Sequence, residues 1–268
     1  MVDYYARIAP VLLPHMGDRA MTLRRFPDGV DGGSFFEKNC PKHRPPWVDT
    51  FSIAVDDGVI SFCRLDSVAA LVWCANLAAL ELHAPMARGE APDHPTMVVF
   101  DLDPGPPADV LDCAEVGLWV RHVLADLGLV SLAKTSGSKG LQVYLPLNTP
   151  ATHGGAADFA RTIAQVMEQQ HPDRVVSTQR KALREGKVLI DWSQNSRHKT
   201  TACAYTLRAR PRPTVSTPVS WDEVEAALDT GDARRLSFEA PEVLDRVADA
   251  GDLFEPAVTL RQDLPLLA

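Results

Sequence analysis

The pattern of apolar and polar residues predicts helices and strands that follow one another along the whole chain. Apolar residues at helical spacing predict helices over 3–16, 67–79, 108–127, 154–170, 221–228 and 241–250. Short apolar runs bounded by Gly, Pro or Asp predict strands over 21–26, 48–53, 59–65, 81–83, 97–103, 129–134, 141–147 and 186–192. With no internal repeat and no long linker, this order of helices and strands predicts a single domain of the α/β class.

The run over 97–105 stands out because four apolar residues lead directly into Asp101-Leu-Asp103, and a Pro-Gly pair ends the run. Successive strand side chains point to opposite faces, so the two aspartates leave the strand on the same side. Two carboxylates about 4 Å apart repel each other by roughly 4 kcal/mol at an effective dielectric constant of about 20. A divalent cation with oxygen ligands would compensate that repulsion. The alternative is a solvated strand end whose aspartates cap the turn.

Two further segments are candidates for the same site, one a loop that could bind phosphate and the other a second acidic strand end. Residues 135–140 read Thr-Ser-Gly-Ser-Lys-Gly between two predicted strands, and their amides and lysine can hold phosphate oxygens. They do not match the pattern G-x-x-x-x-G-K-[ST] and no helix follows directly, which excludes a nucleotide-hydrolase P-loop and leaves a plain hairpin connection as the alternative. Residues 186–192 end an apolar strand in Asp191, which repeats the pattern of the first acidic strand.

The composition is that of an ordinary globular protein, with 46% hydrophobic and 23% charged residues over 268 positions. No apolar run is long enough to span a bilayer, and the N-terminus has neither the basic nor the apolar region of a signal peptide. We therefore expect a cytoplasmic protein with no membrane partner. The five cysteines are odd in number and include no C-x-x-C pair, which argues against a disulfide framework and against a zinc site.

The net charge of −8 conceals two segments of opposite sign. Residues 174–212 contain ten Lys or Arg against two acidic residues, whereas residues 221–268 contain twelve Asp or Glu against four Arg. The basic segment is a candidate polyanion surface, although such a run is more often a solvated face. Near the N-terminus, Phe35 and Phe36 lie close to Lys38, and an aromatic residue beside a cation is typical of sites that hold single-stranded bases. The alternative is one core and one partly exposed phenylalanine.

Three aspartates at two strand ends, a loop of Gly, Ser and Lys, and nearby arginines together indicate phosphoryl transfer with two divalent ions. In that chemistry, carboxylates hold the metals while cationic side chains neutralise a triphosphate. A metal-dependent nuclease would use the same carboxylates, but it needs no triphosphate pocket. The lysine and arginines therefore favour nucleotidyl transfer.

Several motifs resemble the polymerase domain of bacterial ligase D, a member of the archaeo-eukaryotic primase superfamily that serves non-homologous end joining. They are Asp-Leu-Asp-Pro-Gly (101–105), Lys-Thr-Ser-Gly-Ser-Lys-Gly-Leu (134–141), Leu-Arg-x-Gly-Lys-Val (183–188), Ile-Asp-Trp-Ser-Gln-Asn-Ser (190–196) and Tyr-Thr-Leu-Arg-Ala-Arg-Pro (205–211). Pieces at 24–31, 35–38 and 80–85 match as well, so the resemblance covers nearly the whole chain. It implies a primase-polymerase fold of the mixed α+β kind, with a central mixed sheet flanked by helices. It also implies a metal-dependent repair polymerase or primase that transfers ribo- or deoxynucleotides from nucleoside triphosphates to DNA 3′ ends or gaps.

The resemblance also implies roles for individual residues. The catalytic, metal-binding residues would be Asp101, Asp103 and Asp191, holding two Mn²⁺ or Mg²⁺ ions. The nucleotide-binding residues would be His83, Ser136, Lys139, Gln142, Arg184 and Arg208, with Arg184 near the sugar. The DNA-binding residues would be Arg24, Arg25, Phe36 and Lys38.

The same resemblance implies an organisation and a set of partners. The chain would divide into a DNA-contacting part (1–90), a metal- and nucleotide-binding core (91–213) and an acidic helical part (214–268). It would be a stand-alone member that acts at the nucleoid on gapped, nicked or broken duplex DNA, beside a separate DNA ligase and a Ku-type end-binding protein.

Two departures from the family pattern bear on function. The family motif reads Gly-Leu-His, whereas this chain has Gln142, which can hydrogen-bond a phosphate but cannot carry a charge. We therefore expect a lower nucleotide affinity or rate. The family usually begins earlier, with a lysine-bearing segment that binds the 5′-phosphate of a gap, so we expect that contact to be missing. A non-catalytic DNA-end-binding accessory module is the rival interpretation.

Overall fold

The computed structural model describes residues 1–265, and its elements follow the order expected from the sequence. The helices of this range are α1 (Val2–Met16), α2 (Val68–Asn76), α3 (Val110–Asp126), α4 (His153–Gln170), α5 (Trp221–Thr230), α6 (Ala240–Ala250) and α7 (Pro256–Thr259). The strands are β1 (Thr22–Arg25), β2 (Phe35–Glu37), β3 (Thr50–Val55), β4 (Gly58–Cys63), β5 (Ala79–Ala84), β6 (Met97–Pro104), β7 (Leu132–Thr135), β8 (Leu141–Pro146), β9 (Val175–Val176), β10 (Val188–Asp191), β11 (Thr201–Ala202), β12 (Leu207–Arg208), β13 (Thr214–Val215) and β14 (Pro218–Val219). Residues 266–268, the end of the expected acidic part, lie outside the described residues. Within residues 1–265, no helix is both long and apolar enough to cross a bilayer.

The central sheet has six strands in the order β14-β7-β8-β6-β10-β9. Its neighbours pair antiparallel except β9 and β10, which are parallel. Phe100 and Leu102 point to one face, where they form a core with α3, α4 and α5. Val99 and Tyr144 point to the other face, into a second core built largely from α1 and α2. The predicted mixed sheet flanked by helices is thus confirmed.

A second, antiparallel sheet has the order β11-β5-β1-β2. Leu23 and Leu82 face the core formed with α1 and α2, so the residues that alternate with them face the opposite way. On that opposite face lie Arg24 and Glu81, which are cross-strand partners. The functional residues of this sheet therefore lie on the side away from the helices.

The predicted helix over 67–79 is three residues too long. Ser67 caps it as expected, because its side chain accepts a hydrogen bond from the Ala70 backbone, but the helix ends at Asn76. Ala78 has φ +56°, and the chain turns there into β5, where pairing with β1 begins at Ala79. Pairing between distant strands thus overrides the local helical pattern of these apolar residues.

The expectation that the cysteines form no disulfide is wrong for one pair. Cys40 and Cys63 are bonded, with their Cα atoms 4.8 Å apart, and link the segment after β2 to the end of β4. The other cysteines, Cys74, Cys113 and Cys203, are free and buried. The count of cysteines did not reveal the pair because it forms only when the β3–β4 hairpin folds back on the segment after β2.

Candidate active site

An acidic pair lies at the end of β6 in an open cleft of about 380 Å³. Asp101 and Asp103 share the face of the sheet that carries Val99, as the strand alternation predicted. Burial, followed by the charge of Asp103, raises the pKa of Asp101, and burial together with Asp191 raises the pKa of Asp103. The two carboxylates are thus held close to each other with too little positive charge around them.

Asp191 approaches the same place from the neighbouring strand. Antiparallel pairing of β10 with β6 places Asp191 directly opposite Asp101, so both side chains point to the same face. Its Oδ1 accepts hydrogen bonds from the backbone amide (3.0 Å) and hydroxyl (2.6 Å) of Ser193, and its Oδ2 accepts one from Gln194 (3.0 Å). The sheet therefore brings the three predicted aspartates together, while Asp191 remains tied to the loop that follows it.

The chemistry of this pair suits a divalent cation. Asp101 and Asp103 offer only carboxylate oxygens, the ligands that Mg²⁺ and Mn²⁺ prefer. Their pKa values are raised first by burial and then by the neighbouring aspartates, and a bound cation would offset both effects. No group of three His, Cys, Asp or Glu within residues 1–265 is already arranged around one point as a metal site. Asp101 and Asp103 thus fit a metal as they stand, and Asp191 fits it through lone pairs that Ser193 and Gln194 leave free.

The strand end owes its shape to Gly105. A methyl group there would lie 1.8 Å from the carbonyl oxygen of Arg184, and the Gly105 amide donates to the Lys187 carbonyl at 2.8 Å. Only glycine allows this approach. The motif Asp-Leu-Asp-Pro-Gly therefore positions the acidic pair and the Arg184 segment against each other.

The loop between β7 and β8 lines the same cleft as the acidic pair. The Ser136 hydroxyl accepts hydrogen bonds from the backbone amides of Ser138 (3.2 Å) and Gly140 (3.1 Å). Gly137 has φ +64°, and a methyl group there would lie 2.6 Å from the Val215 carbonyl oxygen. The loop is therefore a shaped turn closed by its own serine, and Lys139 is exposed on it at the edge of the cleft.

Arg208 and Arg184 complete the cationic side of the cleft. Arg208 donates to the Ser136 carbonyl at 2.7 Å, and Arg184 donates to the backbone and side chain of Gln179. The positive charge of each lowers the pKa of Asp103, against the effect of burial. The structure thus places both predicted arginines near the acidic pair.

Glu81 is a buried acid that the sequence interpretation missed. Only 2% of its side chain is exposed, and it lies within 3.4 Å of Arg24 and 3.4 Å of Arg208. Its two oxygens also accept hydrogen bonds from the Ala209 amide and from His83, each at 3.0 Å. The available signal was a glutamate between two leucines of a predicted buried strand.

His83 and Gln142 line the cleft between the acidic pair and the cations. His83 donates through Nε2 to the Glu81 carboxylate, and burial lowers the pKa of His83. Gln142 donates through Nε2 to Asp101 at 3.0 Å. Both predicted nucleotide-binding residues are therefore in place, and both are held by neighbouring side chains.

The four predicted DNA-binding residues separate into different environments. Phe36 meets the His83 ring edge to face at 5.3 Å, and the Arg24 guanidinium lies 5.4 Å from the Phe36 ring centroid. Arg25 points the other way and is engaged with Glu37 (3.2 Å) and the Leu77 carbonyl (2.8 Å). Lys38 lines a separate groove under the β3–β4 hairpin. Only Arg24 and Phe36 are therefore adjacent to the cleft.

The positive charge expected over residues 174–212 is partly compensated. Arg174 pairs with Asp112 and Glu115, Arg197 with Asp93, and Arg212 with Glu239. The cations that remain directed at the cleft are concentrated around Ser136 and Asp103. The count of charges along the chain therefore overstates the positive surface that is free to meet a polyanion.

A carboxylate pair on one sheet that faces a pocket of serine, lysine and arginine defines a phosphoryl-transfer centre of the nucleotidyltransferase class. The family model described as "LigD, primase-polymerase domain" matches residues 1–254. The multifunctional non-homologous end joining DNA repair protein LigD of Mycobacterium tuberculosis is 46% identical over 261 residues, which are 94% of this chain and 34% of that protein. The bifunctional LigD of Bacillus subtilis is 31% identical over 268 residues, which are 100% of this chain and 42% of that protein.

A solved structure agrees with these relatives. The polymerase domain from Mycobacterium tuberculosis ligase D, determined in complex with DNA, superposes with a TM-score of 0.90 at 41% identity, covering 97% of this chain and 92% of that one. This chain belongs to the LigD primase-polymerase domain family. It spans about a third of the length of the Mycobacterium tuberculosis relative.

Proposed function

We propose that this domain transfers nucleotides from nucleoside triphosphates to DNA 3′ ends or gaps during end-joining repair, with Mn²⁺ or Mg²⁺. The observation that supports it best is the cleft itself, which joins Asp101 and Asp103 to Lys139, Arg184 and Arg208 in one space. A cleft for a nuclease would need the carboxylates alone. Cations opposite the carboxylates are what a bound triphosphate requires.

The residues in and around the cleft would have three different roles. Asp101, Asp103 and Asp191 would hold the ions, which when bound would activate the attacking hydroxyl and neutralise developing charge on the phosphates. Ser136, Lys139 and Arg208, which line the same cleft, would bind the triphosphate beside His83 and Gln142. Arg184, next to Asp103, would contact the sugar and influence the choice between ribo- and deoxynucleotides.

The substrate strand would approach over the second sheet. Phe36 is 56% exposed and lies against His83, so a base stacked on it would be adjacent to the cleft. Arg24 lies beside the Phe36 ring and would neutralise a nearby phosphate. The solved relative was determined in complex with DNA, which supports DNA as the partner. A DNA ligase activity and a Ku-type protein would act with the domain at the nucleoid.

Primer extension on a short-gapped duplex tests the proposal, with manganese and either ribo- or deoxynucleoside triphosphates. Asp101→Ala/Asp103→Ala is expected to lower extension by more than about a hundredfold, because metal stabilisation of the phosphates amounts to several kcal/mol. Asp245→Ala/Asp249→Ala removes the same charge from exposed positions of α6 and is expected to retain activity. Arg184→Ala is expected to change the ratio of ribo- to deoxynucleotide incorporation.

DNA binding measured by fluorescence anisotropy on the same proteins separates the rival functions. Wild-type protein that binds the gapped duplex but extends no primer would refute the proposal and favour a DNA-end-binding accessory. Cleavage of labelled DNA in the absence of nucleotide would favour a nuclease.

A further inference from the structure

A buried lysine lies directly behind the acidic pair. Lys134, in β7, is 0% exposed and does not line the cleft. Its ammonium donates to the Gln142 side-chain oxygen (2.6 Å), the Ala202 carbonyl (3.1 Å) and the Ser216 hydroxyl (2.5 Å). All three of its donors are therefore used within the protein, and it cannot touch a substrate in the cleft.

The lysine determines which way the Gln142 amide faces. An ammonium has no acceptor, so the Gln142 atom that meets Lys134 must be the oxygen. The Tyr144 hydroxyl donates to the same oxygen at 3.2 Å. The amide nitrogen is consequently left on the other side, where it donates to Oδ1 of Asp101 at 3.0 Å.

The strand register makes this arrangement rigid. Lys134 is the cross-strand partner of Gln142 in β7 and β8, and Gln142 is in turn the partner of Asp101 in β8 and β6. Directly opposed residues on neighbouring antiparallel strands point to the same face. The three side chains therefore form one line across three adjacent strands of the central sheet.

We infer that Lys134 is a positioning residue, which orients the Gln142 amide so that its N–H holds the Asp101 carboxylate for metal and nucleotide binding. The inference rests on the proposed function and assigns a role to a residue outside the cleft. Groups that hydrogen-bond to metal ligands orient them, and their loss typically lowers metal affinity about 10- to 100-fold.

The same geometry explains how a glutamine can serve at position 142. A residue between Lys134 and Asp101 needs an acceptor on one side and a donor on the other. A glutamine amide supplies both, and so does a neutral imidazole. This geometry therefore gives no reason for Gln142 to lower affinity or rate, in contrast to the expectation from the sequence.

The affinity for Mn²⁺, measured by electron paramagnetic resonance without DNA or nucleotide, tests the role of Lys134. Gln142→Leu and Lys134→Met are each expected to raise the dissociation constant about tenfold. Gln142→His is expected to stay within about twofold of wild type, because it retains both the acceptor and the donor. Ser216→Ala removes a different acceptor of Lys134 and is the matched control, expected to lower stability but leave Mn²⁺ affinity within about twofold.

A double-mutant cycle distinguishes positioning from general support of the fold. If Lys134 acts through Gln142, Lys134→Met causes no further loss of Mn²⁺ affinity in the Gln142→Leu background. Independent, multiplying losses in the double variant would overturn the inference, as would a Gln142→Leu protein with wild-type affinity.

Should Lys134→Met fail to fold, the comparison of Gln142→Leu with Gln142→His still decides whether the donor and acceptor at 142 hold Asp101. Wild-type protein that binds Mn²⁺ but extends no primer would refute the proposed function while leaving this inference testable.

Discussion

The Nε2 atom of His83 donates a hydrogen bond of 3.0 Å to the buried carboxylate of Glu81, two positions earlier in the same strand. Although burial alone would raise it, this hydrogen bond and the charge of Arg208 lower the pKa of Glu81 to about 2. Burial lowers the pKa of His83. At neutral pH the pair is therefore a neutral imidazole beside a carboxylate, and Glu81 compensates Arg24 and Arg208.

Replacing this carboxylate should destabilise the protein. Glu81→Gln is expected to lower the free energy of unfolding by about 3 kcal/mol, because it leaves Arg24 and Arg208 without a counter-charge at a site where only 2% of the glutamate side chain is exposed. Urea unfolding measures the change. Glu90→Gln is the matched control: Glu90 also faces an arginine, but 79% of its side chain is exposed, so an effect within about 0.5 kcal/mol is expected. Equal effects of the two variants would contradict the role of Glu81.

The stability should also depend on the protonation of Glu81. Its pKa is about 2 in the folded protein, against an ordinary value of 4.5. Between these values the unfolded chain binds more protons, so the stabilisation is present above about pH 4.5 and is lost as the pH falls toward 2. Urea unfolding at a series of pH values should give a shallower acid dependence for Glu81→Gln than for the wild type. Parallel pH curves would show that Glu81 is not the group responsible.

The loop between β7 and β8 should not tolerate a side chain at Gly137. A methyl group there would lie 2.6 Å from the Val215 carbonyl oxygen, at a φ of +64°. Gly137→Ala is therefore expected to lower stability by more than about 2 kcal/mol and to raise the KM for nucleotide. Gly29→Ala is the control, since Gly29 also has a positive φ (+83°) but nothing within 4 Å of the added methyl. Its expected cost is about 1 kcal/mol, without a change in KM. The same KM for both variants would argue against a role for the loop in binding phosphate.

The Cys40–Cys63 disulfide should contribute to stability. It joins positions 23 residues apart, and closing a loop of that length in the unfolded chain corresponds to about 3 kcal/mol. Reductant is therefore expected to lower the Tm of the wild type but not that of Cys40→Ser/Cys63→Ser, because the remaining cysteines are free and buried. If reductant leaves the wild-type Tm unchanged, the bond does not stabilise the native state.

The two adjacent phenylalanines should differ in DNA binding. Phe36 lies against His83 beside the cleft, whereas Phe35 lies over Arg25 on the other face of the strand. Phe36→Ala is expected to weaken binding to gapped DNA by about 1–3 kcal/mol, the usual contribution of one stacked base. Fluorescence anisotropy measures it, with Phe35→Ala as a control of similar exposure, 46% against 56%. Equal losses would place the DNA elsewhere on this sheet.

Local patterns determined much of the fold and part of the site. The strand alternation placed Asp101 and Asp103 on one face, and apolar residues at helical spacing located helices such as α3. The order of motifs along the chain is specific enough to identify the family without any tertiary contact. These features depend on backbone periodicity and turn preferences, and both are determined by residues close together in the chain.

Only the tertiary structure decided which distant residues meet. The pairing of β10 with β6 placed Asp191 opposite Asp101, and the β7–β8–β6 register aligned Lys134, Gln142 and Asp101. The Cys40–Cys63 bond and the arginines around Glu81 likewise required segments far apart in sequence. Apolar strands have similar patterns, so periodicity shows which face of each strand is buried but not which strand lies beside it. That choice depends on packing the whole core, and it set the partners of every charged group in the cleft.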